Sequence, residues 1–131
     1  MAQTITPFLM FEGKAEEAIN FYLSVFENSR IESLRRYGPG EVGPEGTVML
    51  ATISLAGQLV KFIDSPAKHA FSFTPSISLF VECTEEREID EIYGRLFQDG
   101  QAKMPLGNYG FSRKFGWLAD RFGVSWQINL P

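Results

Sequence analysis

The stretch Phe8-Leu-Met-Phe-Glu12, followed by Glu16-Glu-Ala-Ile-Asn-Phe-Tyr-Leu-Ser-Val-Phe-Glu-Asn28, decides the fold because the chain repeats it. Ile77-Ser-Leu-Phe-Val-Glu82 precedes Glu86-Arg-Glu-Ile-Asp-Glu-Ile-Tyr-Gly-Arg-Leu-Phe-Gln-Asp-Gly100 in the same order. Tyr22 answers to Tyr93 and Phe26 to Phe97, and a turn former, Asn28 or Asp99, stands two residues after each Phe. Leu55-Ala-Gly-Gln-Leu-Val-Lys-Phe62 aligns without a gap on Arg121-Phe-Gly-Val-Ser-Trp-Gln-Ile128 when Gly57 is set on Gly123. A period near half the chain length signals two copies of one unit, neither able to bury its apolar face alone.

Each copy reads as β-α-β-β-β. The first has a strand over Ile5 to Phe11, whose second half is an unbroken apolar run suited to a strand covered on both faces. A helical stripe follows at Ala15, Ala18, Ile19, Tyr22, Val25 and Phe26, with Glu16 and Glu17 in the first turn, where the helix dipole favours them. Strands are then expected at Ile31 to Tyr37, Thr47 to Leu55 and Leu59 to Ile63, the last two joined at Ala56-Gly57. The second copy places a strand at Ser76 to Glu82 and Thr84 as the cap of a helix from about Glu85 to Gln98, stopped by Asp99-Gly100. Lys103 to Leu106, Phe111 to Leu118 and Ser125 to Leu130 complete it. The expected organisation is one domain over 1–131, with modules at about 4–64 and 76–130 and a linker at 65–75. Tyr37 to Gly46, with four Gly and two Pro in ten residues, reads as a mobile surface loop or a lid.

The bulk composition narrows the function. At 131 residues, 44% hydrophobic and 21% charged, the chain is an ordinary globular one with room for a proper core. Its 12 Phe, 4 Tyr and 2 Trp exceed a modest core's needs, and the surplus could line an apolar pocket. A formal net charge of -4 without a basic cluster argues against nucleic acid and anionic membrane as partners. No apolar run approaches the ~20 residues of a membrane span, and the first ten residues lack the pattern of a secretory signal. The single cysteine, Cys83, cannot form an internal disulfide, which fits a cytoplasmic protein.

The repeat order, the Asn20-Phe21-Tyr22 segment, the Ile5-Thr-Pro-Phe-Leu-Met-Phe11 strand and above all Gly116-Trp-Leu-Ala-Asp-Arg-Phe-Gly-Val-Ser-Trp-Gln-Ile128 resemble the PhnB-like branch of the vicinal oxygen chelate superfamily. Glyoxalase, bleomycin-resistance and extradiol-dioxygenase proteins share that fold. The resemblance implies an α+β fold in which two tandem βαβββ modules form a curved mixed sheet around a groove. It also implies a homodimer. Branch members often carry a 3-demethylubiquinone-9 3-methyltransferase label. No strand here leads through a Gly-rich turn into a helix, as a nucleotide-type cofactor would need.

Metal-using members of the superfamily place His, Gln or Glu ligands on the first and last strand of each module. Alignment on the Phe21-Tyr22 helix segment and the Asp120-Arg-Phe-Gly123 turn puts Pro7, Lys61, Ser76 and Gln127 there. Proline has no donor atom, Lys61 brings a positive charge, Ser76 is a poor neutral ligand and Gln127 offers one amide oxygen. Divalent ions generally require imidazole, thiolate or carboxylate, so neither a metal nor another cofactor is expected, and these four are candidate ligand-binding positions. If Lys61 lines the groove, its ammonium is expected to be partly desolvated and to serve as a base or an anion anchor; the alternative is a solvent-facing strand lysine.

Other conspicuous residues have plain structural readings. His69, Phe71 and Phe73 read as a linker stapled to the core, and Cys83 as a structural thiol opposed by Glu82, Glu85 and Glu86. Asp120 and Arg121 read as turn residues, and Glu85 to Glu91 as a solvated helix face. Both tryptophans read as core; alternation sets Trp126 opposite Gln127 against a helix, and Trp117 is allowed the same side. The expected function is metal-independent binding of a small, largely apolar or aromatic molecule. The competing readings are an enzyme of the same fold doing proton transfer, isomerisation or lyase chemistry on a small carbonyl or aromatic compound, and a purely structural interaction module.

Overall fold

A computed structural model describes residues 2–131, and its elements repeat as the sequence does. The first set is β1 (Phe8–Phe11), α1 (Ala15–Val25), β2 (Ser29–Arg36), β3 (Val48–Leu55) and β4 (Gln58–Asp64). The second is β5 (Leu79–Glu82), α2 (Glu86–Phe97), β6 (Gln101–Gly107), β7 (Lys114–Ala119) and β8 (Ser125–Leu130). The chain divides after His69 into two units, each holding one four-stranded sheet, ordered β1-β4-β3-β2 and β5-β8-β7-β6. In both sheets the first strand runs parallel to the last and the remaining pairs are antiparallel. This is the βαβββ unit twice. Among the described residues no helix is long and apolar enough to cross a membrane.

In the first unit α1 buries Ala15, Ala18, Ile19, Tyr22 and Val25, a stripe at helical spacing, against β3 and β4. It meets Ala51, Ile53, Val60 and Phe62, all fully buried. The β3–β4 hairpin turns through Ala56 and Gly57 at φ 50 and 90, the paired left-handed conformation whose twist matches that of the strands it joins. A buried carboxylate ties the helix to the sheet. Asp64 Oδ1 accepts the Gly13 and Ala15 N–H groups at 2.8 and 2.9 Å, and its Oδ2 accepts the Val48 N–H at 3.0 Å.

In the second unit α2 buries Ile89, Tyr93 and Leu96 against β6, β7 and β8. Trp126, Ile128, Leu130 and Leu118 lie beneath it. Thr84 does not cap this helix. Glu85 is the N-cap residue, without a side-chain cap, and the Thr84 N–H donates to Glu88 Oε1 at 2.9 Å. Asp99 at φ 60 and Gly100 stop the helix as expected. Strand β5 begins at Leu79 rather than Ser76, because Ser76 belongs to a turn in which its hydroxyl meets Thr74 Oγ1 at 3.0 Å. Strand β7 begins at Lys114 rather than Phe111, after the left-handed Gly110.

The Gly- and Pro-rich segment after β2 is a largely exposed surface loop anchored at Tyr37. Tyr37 is buried, its hydroxyl donates to the Asp64 carbonyl at 3.1 Å, and its backbone bonds Gly46 and Thr47. Gly43 lies flat on the Tyr37 ring, where a Cβ would stand 2.4 Å from Cε2. The glycines let backbone close over an aromatic ring.

Candidate functional site

In each unit the helix covers one sheet face and leaves the other to be read from the strand register, since paired residues share a face. On the open face of the first sheet, Lys61 of β4 lies between Phe8 of β1 and Thr52 of β3. Leu59 and Ile63 flank it along its own strand, in line with the expectation that the three share a face. Met10 pairs with Ile63, and Arg35 with Leu50. Phe8, Leu50 and Leu59 are exposed by 53%, 40% and 41%, a high exposure for large apolar side chains on three adjacent strands. A cleft of about 450 Å³ opens at the hairpin end of this sheet, lined in part by Glu27, Arg30, Glu32, Ser54 and Leu59.

The charges of this face are unbalanced. Glu32, at a β-bulge, is bound to Arg30 at 2.8 Å, and Glu27 lines the cleft beside it. Lys61, half-buried, and Arg35, exposed, have no side-chain hydrogen bond or ion pair among the described residues. The backbone joins two sequence candidates here: the Lys61 N–H donates to the Pro7 carbonyl at 2.9 Å, and Pro7 precedes β1. The side chain beside Lys61 in the register is that of Phe8.

On the open face of the second sheet, Gln127 lies between Phe80 of β5 and Trp117 of β7. Trp117 therefore faces away from α2, unlike Trp126. The reason is register: Trp126 pairs with Leu118 and Leu79 on the helix side. Gln127 Nε2 donates to Ser78 Oγ at 3.3 Å, Ser78 Oγ meets Ser125 Oγ at 2.6 Å, and Trp117 Nε1 donates to Ser125 Oγ at 2.9 Å. With one N–H engaged, the amide keeps Oε1 and a second N–H for a ligand. Ser76 is exposed in its turn and is not joined to Gln127; Ser78 is.

Beyond Gln127 the face becomes aromatic. Phe115 is buried beneath Phe111, Tyr109 and Phe80, with centroid distances of 5.0, 6.3 and 6.4 Å. Phe111 and Phe80 are exposed by 63% and 54%. Asn129 donates through Nδ2 to Glu82, while its Oδ1 is buried without a partner.

Three other titratable groups have structural roles. Cys83 is buried, and desolvation, with Glu88 and Glu82 nearby, pushes its thiol up to about 12, the opposite of a reactive thiolate. Asp120 does more than shape a turn: Oδ1 accepts the Phe122 and Val124 N–H groups and Oδ2 the Trp126 indole N–H at 2.9 Å. His69 Nε2 contacts Ser65 Oγ at 2.9 Å, and its backbone N–H donates to Glu12, pinning the end of the first unit.

The four positions do not suit a divalent cation. In the first unit the place holds an ammonium beside an aromatic ring, which would repel the ion. In the second, Gln127 has one amide oxygen with serine hydroxyls beside it, and the carboxylate of Glu82, two residues along, is engaged by Asn129. Among the described residues no three His, Cys, Asp or Glu side chains gather as a metal-binding group.

Comparison with known proteins fixes the relationship. Two βαβββ units of this kind place the chain in the vicinal oxygen chelate superfamily, the glyoxalase and bleomycin-resistance fold. Within it, the chain belongs to the family described as 3-demethylubiquinone-9 3-methyltransferase, whose model matches residues 3–129. A PhnB protein from Bacillus cereus carrying the same methyltransferase description is 56% identical, with a TM-score of 0.95 over 98% of this chain and 100% of that one. Protein YjdN of Escherichia coli K12 is 22% identical over 139 residues, covering 96% of this chain and 94% of its own length. The fosfomycin resistance protein FosX of Listeria monocytogenes shares the fold, at 10% identity and a TM-score of 0.62 over 100% of this chain and 94% of that one.

Several residues of these faces escape a reading made by motif: Phe8, Arg35 and Thr52 in the first unit, and Ser78, Phe80, Trp117 and Ser125 in the second. The Gly57–Gly123 alignment holds the signal. It equates Lys61 with Gln127, and counting across a parallel pair from each leads to Phe8 and Phe80.

Proposed function

We propose that this protein is a metal-independent binder of a small, largely apolar molecule, acting on the open sheet faces that carry Lys61 and Gln127. One observation carries the reading: in each unit the face not covered by its helix sets exposed apolar side chains beside a few polar groups, Lys61 and Arg35 in the first and Gln127, Ser78 and Ser125 in the second. Among the described residues, the hydrogen bonds of these faces join no acid–base or nucleophile pair to those groups. Such a surface can bury an apolar body and orient it with few polar contacts, the usual composition of a ligand site. The amide at Gln127, one N–H held by Ser78, supports selection of a hydrogen-bonding ligand group there. Exposed Phe8, Phe80 and Phe111 also support a homodimer, and the lone buried thiol fits a reducing cytoplasm.

Methyl transfer, the activity in the family description, requires a bound methyl donor. The strand-to-helix turns, Glu12-Gly-Lys14 and Cys83-Thr-Glu85, are not glycine-rich and carry carboxylates, so they supply no backbone cradle for a nucleotide-like group. A thermal-shift screen of aromatic and glycopeptide ligands, run with and without chelator on protein purified without chelator, tests the binding reading. Stabilisation that chelator leaves unchanged is expected. Stoichiometric zinc, iron or manganese by elemental analysis overturns metal independence. Turnover of a small carbonyl compound that Lys61→Ala abolishes replaces the binder with an enzyme.

A further inference from the structure

Resting on that binding reading, we propose that the open face of the first sheet takes a small amphiphile with an oxyanion head, such as a carboxylate or sulfonate, through Lys61 and Arg35. A protein of net charge -4 keeps two cations here that have no ion-pair partner among the described residues, and Glu32 is already engaged by Arg30. Lys61 is half-buried, with Phe8 and Thr52 beside it and Leu59 and Ile63 along its strand. Its stem therefore lies on a largely apolar surface, and its ammonium has no ion-pair partner among the described residues. An incoming oxyanion supplies the missing counter-charge.

The spacing suits a compact head. Lys61 and Arg35 stand on β4 and β2, two strands and two residues apart by register, which puts their Cα atoms on the order of 12 Å from each other. Two long flexible side chains close that distance over Thr52 and Leu50. The apolar body of the ligand then lies on Phe8, Met10, Leu50 and Ile63. The second sheet offers the opposite polarity, a neutral amide beside Glu82, so the anion preference belongs to the first face alone.

Two fluorescent dyes with one aromatic body separate the ideas: anilinonaphthalene sulfonate, which carries an anion, and N-phenyl-1-naphthylamine, which does not. The full chain is expected to bind the sulfonate tighter than the neutral dye by about tenfold at low salt. Added salt should narrow the gap. Lys61→Met and Arg35→Met should each weaken the sulfonate by about tenfold and leave the neutral dye within about twofold, with Lys61→Arg retaining most of the preference. Equal binding of both dyes, unchanged in the Met variants, overturns the anion assignment while the binding reading stands. Failure of both dyes to bind overturns both. Loss of dye binding as protein concentration rises, together with dimer formation by sedimentation, assigns the face to a second copy and overturns the proposal.

Discussion

The two units share one backbone plan and anchor their helices with opposite charges. In the first, the carboxylate of Asp64 reaches from the end of β4 to the start of α1 and holds two of its N–H groups. In the second, the position aligned with Asp64 is the apolar Leu130. There the ammonium of Lys114, on β7, reaches up to Glu86 and Asp90 of α2 at 3.1 and 2.6 Å. The open faces diverge in the same way, Lys61 and Arg35 in one and a neutral Gln–Ser–Trp network in the other. Duplication kept the apolar spacing that makes a βαβββ unit and left the polar positions free to change, because several polar solutions satisfy one backbone.

The sharpest break of this comparison is Asp64→Ala. It strands two buried N–H groups, of Ala15 and Val48, and a part-buried one of Gly13, and a loss of about 2–4 kcal/mol is expected in urea unfolding. A loss under about 1 kcal/mol would show that the carboxylate is not the anchor. The second unit carries its own reporter in the buried Cys83. With its thiol near 12, alkylation at pH 8 should run on the order of 10³-fold slower than for a free thiol until that unit opens. Labelling that accelerates in Asp64→Ala would mean that the units unfold together; unchanged labelling would mean that they unfold apart. Gly116→Ala should cost the second unit about 1–3 kcal/mol, because a Cβ there would stand 2.5 Å from the buried Tyr93 ring. A neutral result would show that the ring can move aside.

The smallest effects lie at the two ends of the pH scale. The hydrogen bond from Arg36, a bidentate partner, holds the Glu16 carboxyl below its ordinary 4.5. Its contribution is complete above that value and is lost as pH falls through the lowered one. Hydrogen bonds from Lys114 to Asp90 and then Glu86 hold its ammonium above the ordinary 10.5. That contribution is complete below 10.5 and is lost as pH rises through the raised value. Glu16→Gln should flatten only the acid limb of a plot of urea midpoint against pH, and Lys114→Met only the alkaline limb. Both ties lie near solvent, so both changes should be modest. A shared limb would undo the contrast.

The fold was legible because periodicity survives in a single sequence: Tyr22 with Tyr93 and Gly57 with Gly123 suffice to find both copies. The centre of each open face was half legible. Lys61 and Gln127 emerge from the alignment, but their neighbours depend on register across a parallel pair, which no local pattern encodes. Trp117 shows the difficulty. Its size suggests core, and only its pairing with Gln127 turns it to the open side. The segment after Tyr37 shows another: composition records glycine and proline but not the ring they cover. Asp64, at a strand end, gave no sign of the N–H groups 49 and 51 residues earlier that it would bind.

Asp64 has a consequence for biosynthesis. The start of α1 leaves the ribosome long before the side chain that completes it, so the nascent helix waits, its first amides exposed to water, until the final strand of the first unit emerges. If the units fold apart, the first is expected to close while the second is still being made. Ribosome-arrested chains should turn protease-resistant over residues 13–48 only once Asp64 has cleared the exit tunnel, and Asp64→Ala chains should miss that step.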